Sequence, residues 1–265
     1  MMSTAWLWCS PEFAISNTDR AVNLVIDIGN TRVKAGVFRN GALQYRETRE
    51  NWEIDDIMAL ATNHNVENVI LSTVAAAVAV PLGEVLASRF FFLELNAATP
   101  LPIANQYRTP DTLGKDRLAA VVGAYSLFPG QACLVVDAGT CITYDLLSSE
   151  GAYLGGNIAP GIAMRLKAMH AFTARLPLVE QGPMGNWVGD STETALRNGG
   201  QLGALLEAEG YLSYCHSRFG ALRPIFTGGD ADFFVKNLKS EIFVNHNLVL
   251  IGLDQILNYN VKRLE

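Results

Sequence analysis

The sequence predicts an α/β protein in which two similar units face each other across a cleft. An acidic bend occurs twice, as Asp27-Ile28-Gly29 and as Asp137-Ala138-Gly139, and each copy follows a short apolar run typical of a buried strand. Each copy also opens a run of three predicted strands, after which helices and strands alternate. The copies lie much further apart than the period of a solenoid repeat, which indicates a duplicated domain. Hydrophobic residues make up 49% of the chain and charged residues 17%, as in a protein with a large buried core.

The bulk composition argues against several classes of function. A net charge of −6 disfavours nucleic acid or an anionic membrane as the main partner. No apolar run approaches the length of a membrane span. The four cysteines form no CxxC pair, which fits a reduced compartment, and the four histidines lack partners at metal-ligand spacing, so we expect no zinc site. We therefore expect a cytoplasmic protein with no nucleic-acid and no membrane partner.

Residues 1–20 differ from the rest of the chain. They are apolar around Trp6 and Trp8, yet no Lys or Arg precedes Arg20, so the charged start of a secretory signal is missing. We expect a poorly ordered extension, or translation from an over-early start, with the fold beginning near Ala21.

The first unit is predicted over residues 21–112. Turn residues at Arg39-Asn40-Gly41 separate two strands of a three-stranded meander. Acidic residues near the start of the next segment suit a helix N-terminus. The predicted order is a strand from Leu24, strands at 32–38 and 43–48, a helix at 52–63, a strand at 69–74, a helix at 78–88 and a strand at 90–95.

The second unit is predicted over residues 113–265. The apolar, alanine-containing run at 118–125 places Leu113-Gly114-Lys115-Asp116-Arg117 where a loop becomes a helix, and such an end offers free N–H groups and a partial positive charge. The predicted order continues with strands at 133–137, 141–147 and 152–158, helices at 162–171 and 192–214, a strand at 224–227, a helix at 233–238, a strand at 243–250 and a helix at 252–260. Three strands followed by this alternation resemble the ribonuclease-H-like half of the actin, Hsp70 and sugar-kinase superfamily.

The residues of the first bend suit a nucleotide. A buried carboxylate at Asp27 needs a cation or hydrogen-bond donors, and Gly29 lets a ligand approach the backbone. The hydroxyl of Thr31 and the charge of Lys34 add to a site that fits phosphates and their Mg²⁺. Each bend alone is equally compatible with an ordinary strand–turn–strand corner. Two copies in one chain favour paired phosphate loops that face one cleft.

Six motifs in order resemble the bacterial type III pantothenate kinases over nearly all of residues 23–260. The wider superfamily shares the phosphate loops but not the Leu-Gly-x-Asp-Arg segment. The motifs are D-x-G-N-T-x-x-K at 27–34, a tyrosine at 107 before L-G-x-D-R at 113–117, D-A-G-T-x-x-T at 137–143, G-G-x-I-x-P-G at 155–161, a threonine at 192 that opens a long helix, and T-G-G at 227–229.

This resemblance implies ATP-dependent phosphorylation of the primary hydroxyl of pantothenate, the entry to coenzyme A synthesis. It implies a homodimer whose substrate pocket includes the partner subunit, and a need for Mg²⁺ and a monovalent cation (K⁺ or NH₄⁺). Asp116 resembles the family's proton acceptor, and Asp137 resembles its monovalent-cation ligand. The implied pantothenate contacts are Tyr107, Gly114, Lys115, Asp116, Arg117 and Thr192. The implied ATP contacts are Asp27, Ile28, Gly29, Asn30, Thr31, Arg32, Val33, Lys34, Thr140, Gly228 and Gly229.

Several of these residues also have ordinary structural interpretations. Asp116 and Thr192 are of residue types that cap helices. Arg117 could form a surface salt bridge, and Tyr107 could pack in a loop. Lys34 could be an exposed strand lysine, in which case Arg32 would serve instead. Cys141 stands where the family tends to have alanine, and we expect the loop to tolerate this small residue.

Two other functions compete with pantothenate phosphorylation. A sugar or acetate kinase of the same superfamily would share both phosphate loops, but the L-G-x-D-R segment argues against it. An ATP-gated regulatory or interaction protein is the alternative outside enzymes. The carboxylate at Asp116 disfavours this as the sole role, and the negative net charge argues against direct DNA contact.

Overall fold

The first half of the protein is a five-stranded mixed sheet with helices packed on it. The structure, a computed structural model, describes residues 21–29, 31–73 and 76–264, so the predicted extension at 1–20 lies outside the described residues. The elements are β1 (Val22–Ile28), β2 (Val33–Arg39), β3 (Ala42–Arg49), α1 (Ile54–Asn63), β4 (Asn68–Thr73), α2 (Ala76–Ala87) and β5 (Phe91–Glu94).

The second half repeats this order around a six-stranded sheet. A 3₁₀ turn at Pro110–Thr112 precedes its first helix. The elements are β6 (Ala104–Asn105), α3 (Lys115–Leu127), β7 (Cys133–Ala138), β8 (Cys141–Leu147), β9 (Ala152–Pro160), α4 (Ile162–Ala171), α5 (Thr192–Phe219), β10 (Arg223–Thr227), α6 (Ala231–Asn237), β11 (Phe243–Val244) and α7 (Leu248–Lys262).

The two sheets have the same topology. The first runs β3-β2-β1-β4-β5, and the second runs β11-β10-β7-β8-β9-β6, so β7 to β11 follow the order of β1 to β5 with β6 added at one edge. In both, the first three strands are antiparallel neighbours and the fourth pairs parallel with the first. This duplication confirms the predicted fold class of two ribonuclease-H-like units.

Helices α3 and α7 form a layer between the two sheets. Alternate residues of β1 divide between two cores: Leu24 and Ile26 pack on the outer side, whereas Val25 packs with the central layer. The helices approach closely at Gly123 and Gly252, because a methyl group on Gly252 would overlap the carbonyl of Ala119. Each sheet therefore presents one face to the α3–α7 layer.

The chain crosses between the halves at two places. The short strand β6, which precedes the predicted boundary at residue 112, pairs with β9 of the second sheet. Helix α7, at the end of the chain, contributes to the core with β1, β2 and β4 of the first sheet. The division into units of 21–112 and 113–265 remains a prediction.

The predicted strand at 243–250 is wrong beyond Val244. Asn245 still donates its backbone N–H to Phe226, but its side chain then accepts from the backbone N of Asn247 at 2.9 Å, which turns the chain. Helix α7 starts directly afterwards at Leu248, four residues before the predicted start. The run Leu248–Leu250 is fully apolar, and such a short run cannot distinguish a strand from a buried helix.

A buried carboxylate joins α7 to the first sheet. Asp254 accepts hydrogen bonds from Asn23 at 2.7 Å and from Asn258 at 2.9 Å, and Asn68 in turn donates to Asn23 at 3.0 Å. Burial raises the pKa of Asp254 to about 6, although both hydrogen bonds act to lower it. The carboxyl group is therefore protonated in the folded protein at a pH where it is ionised in the unfolded chain.

Replacing Asp254 with asparagine is expected to change how stability depends on pH. The stability contributed by the raised pKa is present below about pH 4 and is lost as the pH rises through 6, by at most about 3 kcal/mol. An amide does not ionise, so the melting temperature of Asp254→Asn should improve relative to wild type between pH 4 and pH 7. Thermal melts across that range measure the difference, and parallel curves would contradict the prediction.

Candidate active site

The two acidic bends lie at the ends of strands, on the sheet faces that pack against the α3–α7 layer. Asp27 shares its face of β1 with Val25, and Asp137 shares its face of β7 with Val135, and both valines belong to the central core. The antiparallel register places Lys34 opposite Asp27 and Thr143 opposite Asp137. The ends of these strands thus carry the carboxylates of Asp27 and Asp137 and the amine of Lys34.

The charges of this region act on one another. Burial raises the pKa of Asp27, while the charge of Lys34 and a 3.0 Å hydrogen bond from Ser72 lower it. Burial also raises the pKa of Asp137, to about 6; Lys34 opposes this shift, and the charges of Asp116 and Asp27 add to it. Three predicted functional carboxylates and one lysine are therefore close enough to interact electrostatically, and the acidic charge exceeds the basic charge.

The two phosphate-type bends differ in length. In the first, the N–H of Gly29 donates to the carbonyl of Arg32 at 3.1 Å; in the second, the N–H of Gly139 donates to the carbonyl of Cys141 at 2.9 Å. Counted between the last paired residues, Ile28 with Val33 and Ala138 with Ile142, the first bend thus contains one more residue than the second. Thr31 and Arg32 are exposed there, and the predicted ATP contact Asn30 lies outside the described residues.

Ile28 and Val33 have a structural role in the first bend. They pair with each other at the ends of β1 and β2, and their side chains pack in the outer core of the first half. Because these side chains belong to that core, only the backbone of these two predicted ATP contacts remains for a nucleotide.

A glycine turn packs directly on the second bend. Gly228 has φ +93°, and a Cβ there would lie 2.5 Å from Oδ1 of Asp137 and would also overlap the Ala138 carbonyl. The N–H of Asp230 donates to the same carbonyl at 2.9 Å. The turn that the family resemblance links to ATP therefore adjoins the Asp137 bend, and only glycine fits at position 228.

Thr140 is held from the other side of the second bend. Its carbonyl accepts the N–H of Gly161 at 3.1 Å, and its side chain is exposed. A methyl group on Gly161 would clash with the carbonyls of this bend, which explains the glycine that ends the G-G-x-I-x-P-G motif.

Asp116 lies in the first turn of α3 with its side chain exposed. Gly114 occupies the N-cap position, and Oδ1 of Asp116 accepts the backbone N–H of Arg117 at 2.8 Å. The alternative in which Asp116 is the capping residue is therefore wrong by position, although its side chain does satisfy one backbone donor of that turn. Lys115 forms a 3.6 Å ion pair with Glu94 at the end of β5.

Arg117 is buried rather than exposed. Its Nη2 lies 2.6 Å from Oδ1 of Asp145 on β8, and its Nε donates to both oxygens of the same carboxylate at 3.1 and 3.2 Å. Burial alone would lower the pKa of Arg117, but the hydrogen bonds and charge of Asp145 raise it. The alternative of a surface salt bridge is wrong, since both side chains are buried.

Tyr107 packs against this pair. Its ring stacks on that of Tyr153 with centroids 6.0 Å apart, and the guanidinium carbon of Arg117 lies 5.7 Å from its centroid. Asn105 accepts the backbone N–H of Tyr107 at 3.0 Å and so orders the loop. Tyr107, Arg117 and Asp116 thus follow one continuous wall on the second half of the protein.

Thr192 is separate from this group. It is exposed at the first position of α5, where the capping residue is Ser191, whose hydroxyl accepts from the backbone N of Thr194. The helix-capping alternative for Thr192 is therefore wrong by one residue. Within the described parts of the chain, no hydrogen bond, ion pair or ring contact joins Thr192 to the other predicted site residues.

Comparison with known proteins identifies the family. The profile of the type III pantothenate kinases matches residues 23–213. The chain belongs to this family. A type III pantothenate kinase of Bacteroides fragilis is 44% identical over 244 residues, which cover 92% of this chain and all of that protein. One of Christiangramia forsetii is 42% identical over 245 residues, covering 90% and 99% respectively. The predicted family is confirmed.

Solved structures that resemble the chain share its fold. A Baf family transcriptional activator from Campylobacter jejuni has a TM-score of 0.57 at 24% identity, with 90% of this chain and 99% of that chain covered. The ROK hexokinase from Thermus thermophilus has a TM-score of 0.50 at 14% identity, with 91% and 99% covered. These similarities show that the duplicated fold of this chain is shared with both solved proteins.

The bends of this family member offer oxygen ligands for cations. The described residues contain no group of three or more His, Cys, Asp or Glu side chains arranged to hold a metal. Asp137, however, has no hydrogen-bond donor within the described segments, and the buried Oγ1 of Thr143, on the neighbouring strand, has no partner either. A carboxylate and a hydroxyl without partners fit a cation with oxygen ligands.

Sequence reasoning missed two residues of the wall, Asp145 and Tyr153. Asp145 is fully buried in β8, whose other residues are uncharged, and it lies on the same face as Thr143. A charged residue inside a predicted buried strand was the available signal, because such a group needs a partner. Its partner lies 28 positions earlier on another element, which spacing alone does not reveal.

Proposed function

We infer that this chain transfers the terminal phosphoryl group of ATP to the primary hydroxyl of pantothenate, the first step of coenzyme A biosynthesis. The observation that carries this function is the convergence of Asp27, Asp137, Lys34 and Asp116 at one cleft in a member of the type III pantothenate kinase family. The cleft offers charge for phosphates and a carboxylate for an alcohol. It is expected to act in the cytoplasm.

The two bends suit the triphosphate. Phosphoryl transfer depends mainly on neutralising charge and holding the attacking and leaving oxygens in line. Lys34 supplies a positive charge that acts on both aspartates, and the exposed Thr31, Thr140 and Gly229 border the bends. Bound Mg²⁺ would neutralise phosphate charge, with Asp27 and Asp137 as ligands directly or through water, and Asp137 with Thr143 suits K⁺ or NH₄⁺.

Asp116 suits the role of general base. An alcohol is a poor nucleophile, so a carboxylate that accepts its hydrogen bond aims the oxygen and takes the proton as the P–O bond forms. Asp116 is exposed at the N-terminus of α3, and its charge reaches the aspartates of both bends. The proposed pantothenate contacts lie before and after Asp116 in the sequence, and they are Tyr107, Gly114, Lys115 and Arg117.

We also propose that the protein is a homodimer in which Thr192 of the partner subunit completes the pocket. One face of α5 carries the exposed Leu206 and Tyr214, 62% and 66% exposed, with Gly210 between them and open space in front of it. Exposed apolar side chains around a small residue suit close packing with a second copy. Within the described residues, Thr192 makes no contact with Asp116 of its own chain, which supports this arrangement.

Leu206→Glu is expected to convert the dimer to a monomer and to lower kinase activity. A charge at the centre of an apolar interface leaves an unpaired buried carboxylate, which opposes association. Sedimentation of wild type and variant at micromolar concentration measures the change. Val235→Glu, at a half-exposed apolar residue on α6, is the matched control and should leave the dimer intact. A monomeric wild type would contradict the shared pocket.

The function itself is tested by coupled detection of ADP. Wild-type protein with ATP, Mg²⁺ and K⁺ should release ADP when pantothenate is added. The substrate panel should include glucose, N-acetylmannosamine and acetate, because the superfamily phosphorylates sugars and acetate as well. ADP release with one of these and not with pantothenate would replace the proposal, and no release with any acceptor across pH 6–9 would favour a regulatory role.

We found no helix in the described residues that could cross a bilayer.

A further inference from the structure

A buried polar cluster lies behind the predicted pantothenate contacts, and its centre is Asp145. The carboxylate of Asp145 is inaccessible to solvent and receives three hydrogen bonds from Arg117. It receives a fourth from the hydroxyl of Tyr153 at 2.7 Å. The Asp145 carboxylate therefore holds both the guanidinium of Arg117 and the hydroxyl of Tyr153. Both of these side chains also pack against the ring of Tyr107.

Two glycines of the G-G-x-I-x-P-G motif make room for this cluster. A Cβ on Gly156 would lie 2.5 Å from Oδ1 of Asp145, and one on Gly155 would lie 3.5 Å from the ring of Tyr107. Gly155 also has φ +108°, which other residues rarely adopt. The motif thus has a physical function in this chain: it keeps β9 close to the carboxylate and to the tyrosine at the same time.

We propose that Asp145 is a positioning residue for the acceptor alcohol, acting through Arg117 and through the stacked pair Tyr153 and Tyr107. The proposal rests on the proposed kinase function and extends it to residues that do not touch the substrate. Asp145 holds Arg117 by Nε and Nη2, so Nη1 is the nitrogen that this carboxylate does not occupy. Tyr153 stacks on the ring of Tyr107 and so holds that ring beside Arg117.

The arrangement favours positioning over stabilisation. A fully buried ion pair is weak support for stability, because desolvation offsets most of the attraction. The ion pair does fix the planar guanidinium of Arg117 in one orientation, because Nε and Nη2 both donate to the same carboxylate. Arg117 also follows Asp116 directly, and its N–H donates to the Asp116 carboxylate, so a shift of Arg117 disturbs the general base as well.

The experiment compares steady-state kinetics of three variants with wild type. Asp145→Asn keeps the shape and removes the charge, and kcat/KM for pantothenate should fall ~10–100-fold with KM for ATP within twofold. Tyr153→Phe keeps the ring against Tyr107 and removes one hydrogen bond, so a smaller fall of about threefold to tenfold is expected. The positioning role predicts this split between the two substrates, which a general loss of folded protein would not produce.

Tyr144→Phe is the matched control. Tyr144 is also buried, and its hydroxyl donates to a carboxylate, Glu207, at 3.0 Å, but its ring packs in the outer core of the second half. It should keep wild-type kinetics for both substrates. If Asp145→Asn does not fold, as judged by circular dichroism, Tyr153→Phe decides the question.

The outcomes separate this proposal from the function on which it rests. Wild type that shows no pantothenate-dependent ADP release overturns the kinase function. Wild type that is active, with a folded Asp145→Asn or Tyr153→Phe at unchanged kcat/KM for pantothenate, overturns the positioning role alone. An equal rise in KM for ATP and in KM for pantothenate in Tyr153→Phe would also overturn it.

Discussion

Asp116→Asn is expected to lower kcat for pantothenate phosphorylation by about 10²–10⁴, the usual contribution of general-base assistance. The amide cannot take the proton of the alcohol, and it aims the hydroxyl oxygen less well than an anion does. Asparagine keeps an oxygen that can accept the Arg117 N–H, and Gly114 keeps its place as the N-cap, so the start of α3 should persist. Stability should change by less than about 1 kcal/mol.

The measurement is kcat by ADP release, together with thermal melts of both proteins. Asp111→Asn is the matched control, because Asp111 is an exposed acid in the 3₁₀ turn just before α3. It should keep wild-type turnover. A folded Asp116→Asn variant with wild-type kcat would show that Asp116 accepts a hydrogen bond in the first turn of α3 and takes no part in catalysis.

Gly228→Ala is expected to damage the nucleotide site and the fold together. The backbone at 228 has φ +93°, and the new methyl group would press on the Asp137 carboxylate and on the Ala138 carbonyl. Strain of this kind costs about 1–2 kcal/mol before any clash is counted. Relief of the clash must move either the glycine turn or the second bend, so kcat/KM for ATP should fall at least ~10-fold.

Melting temperature and KM for ATP report these two effects separately. Gly185→Ala is the control, because Gly185 is exposed, has no positive φ and has no atom within 4 Å of its added Cβ. It should match wild type in both measurements. A Gly228→Ala variant with unchanged melting temperature and unchanged KM for ATP would mean that the turn does not support the Asp137 bend.

Periodic and local features of the fold were predictable from sequence. The strands that precede Asp27 and Asp137 are apolar and short, and the turn residues at Asn40 and Gly41, both with positive φ, mark the first hairpin. The repeated run of three strands, followed by alternating helices and strands, was predictable from the sequence. The start of α7 was not predictable, because Leu248–Leu250 carries no period that separates helix from strand.

The candidate site was predictable only in part, for a different physical reason. Residue types and spacing singled out the bends at Asp27 and Asp137, because each follows an apolar strand, and the family resemblance singled out Asp116. They did not reveal that Arg117 is buried against Asp145, because the partner of a buried cation depends on packing between elements. They also placed the cap of α5 one residue late, since Ser191 and Thr192 are both suitable capping types.

The close contact of α3 and α7 has a consequence for how the enzyme can vary. Asp116 stands at one end of α3, and Gly123 meets α7 about 10 Å further along the same rod. A bulkier side chain at that crossing would overlap the backbone of α7, and the resulting shift of α3 would move Asp116 although no residue of the site itself is replaced. Substitutions at the crossing of α3 and α7 are thus expected to change turnover although they contact neither the nucleotide nor pantothenate.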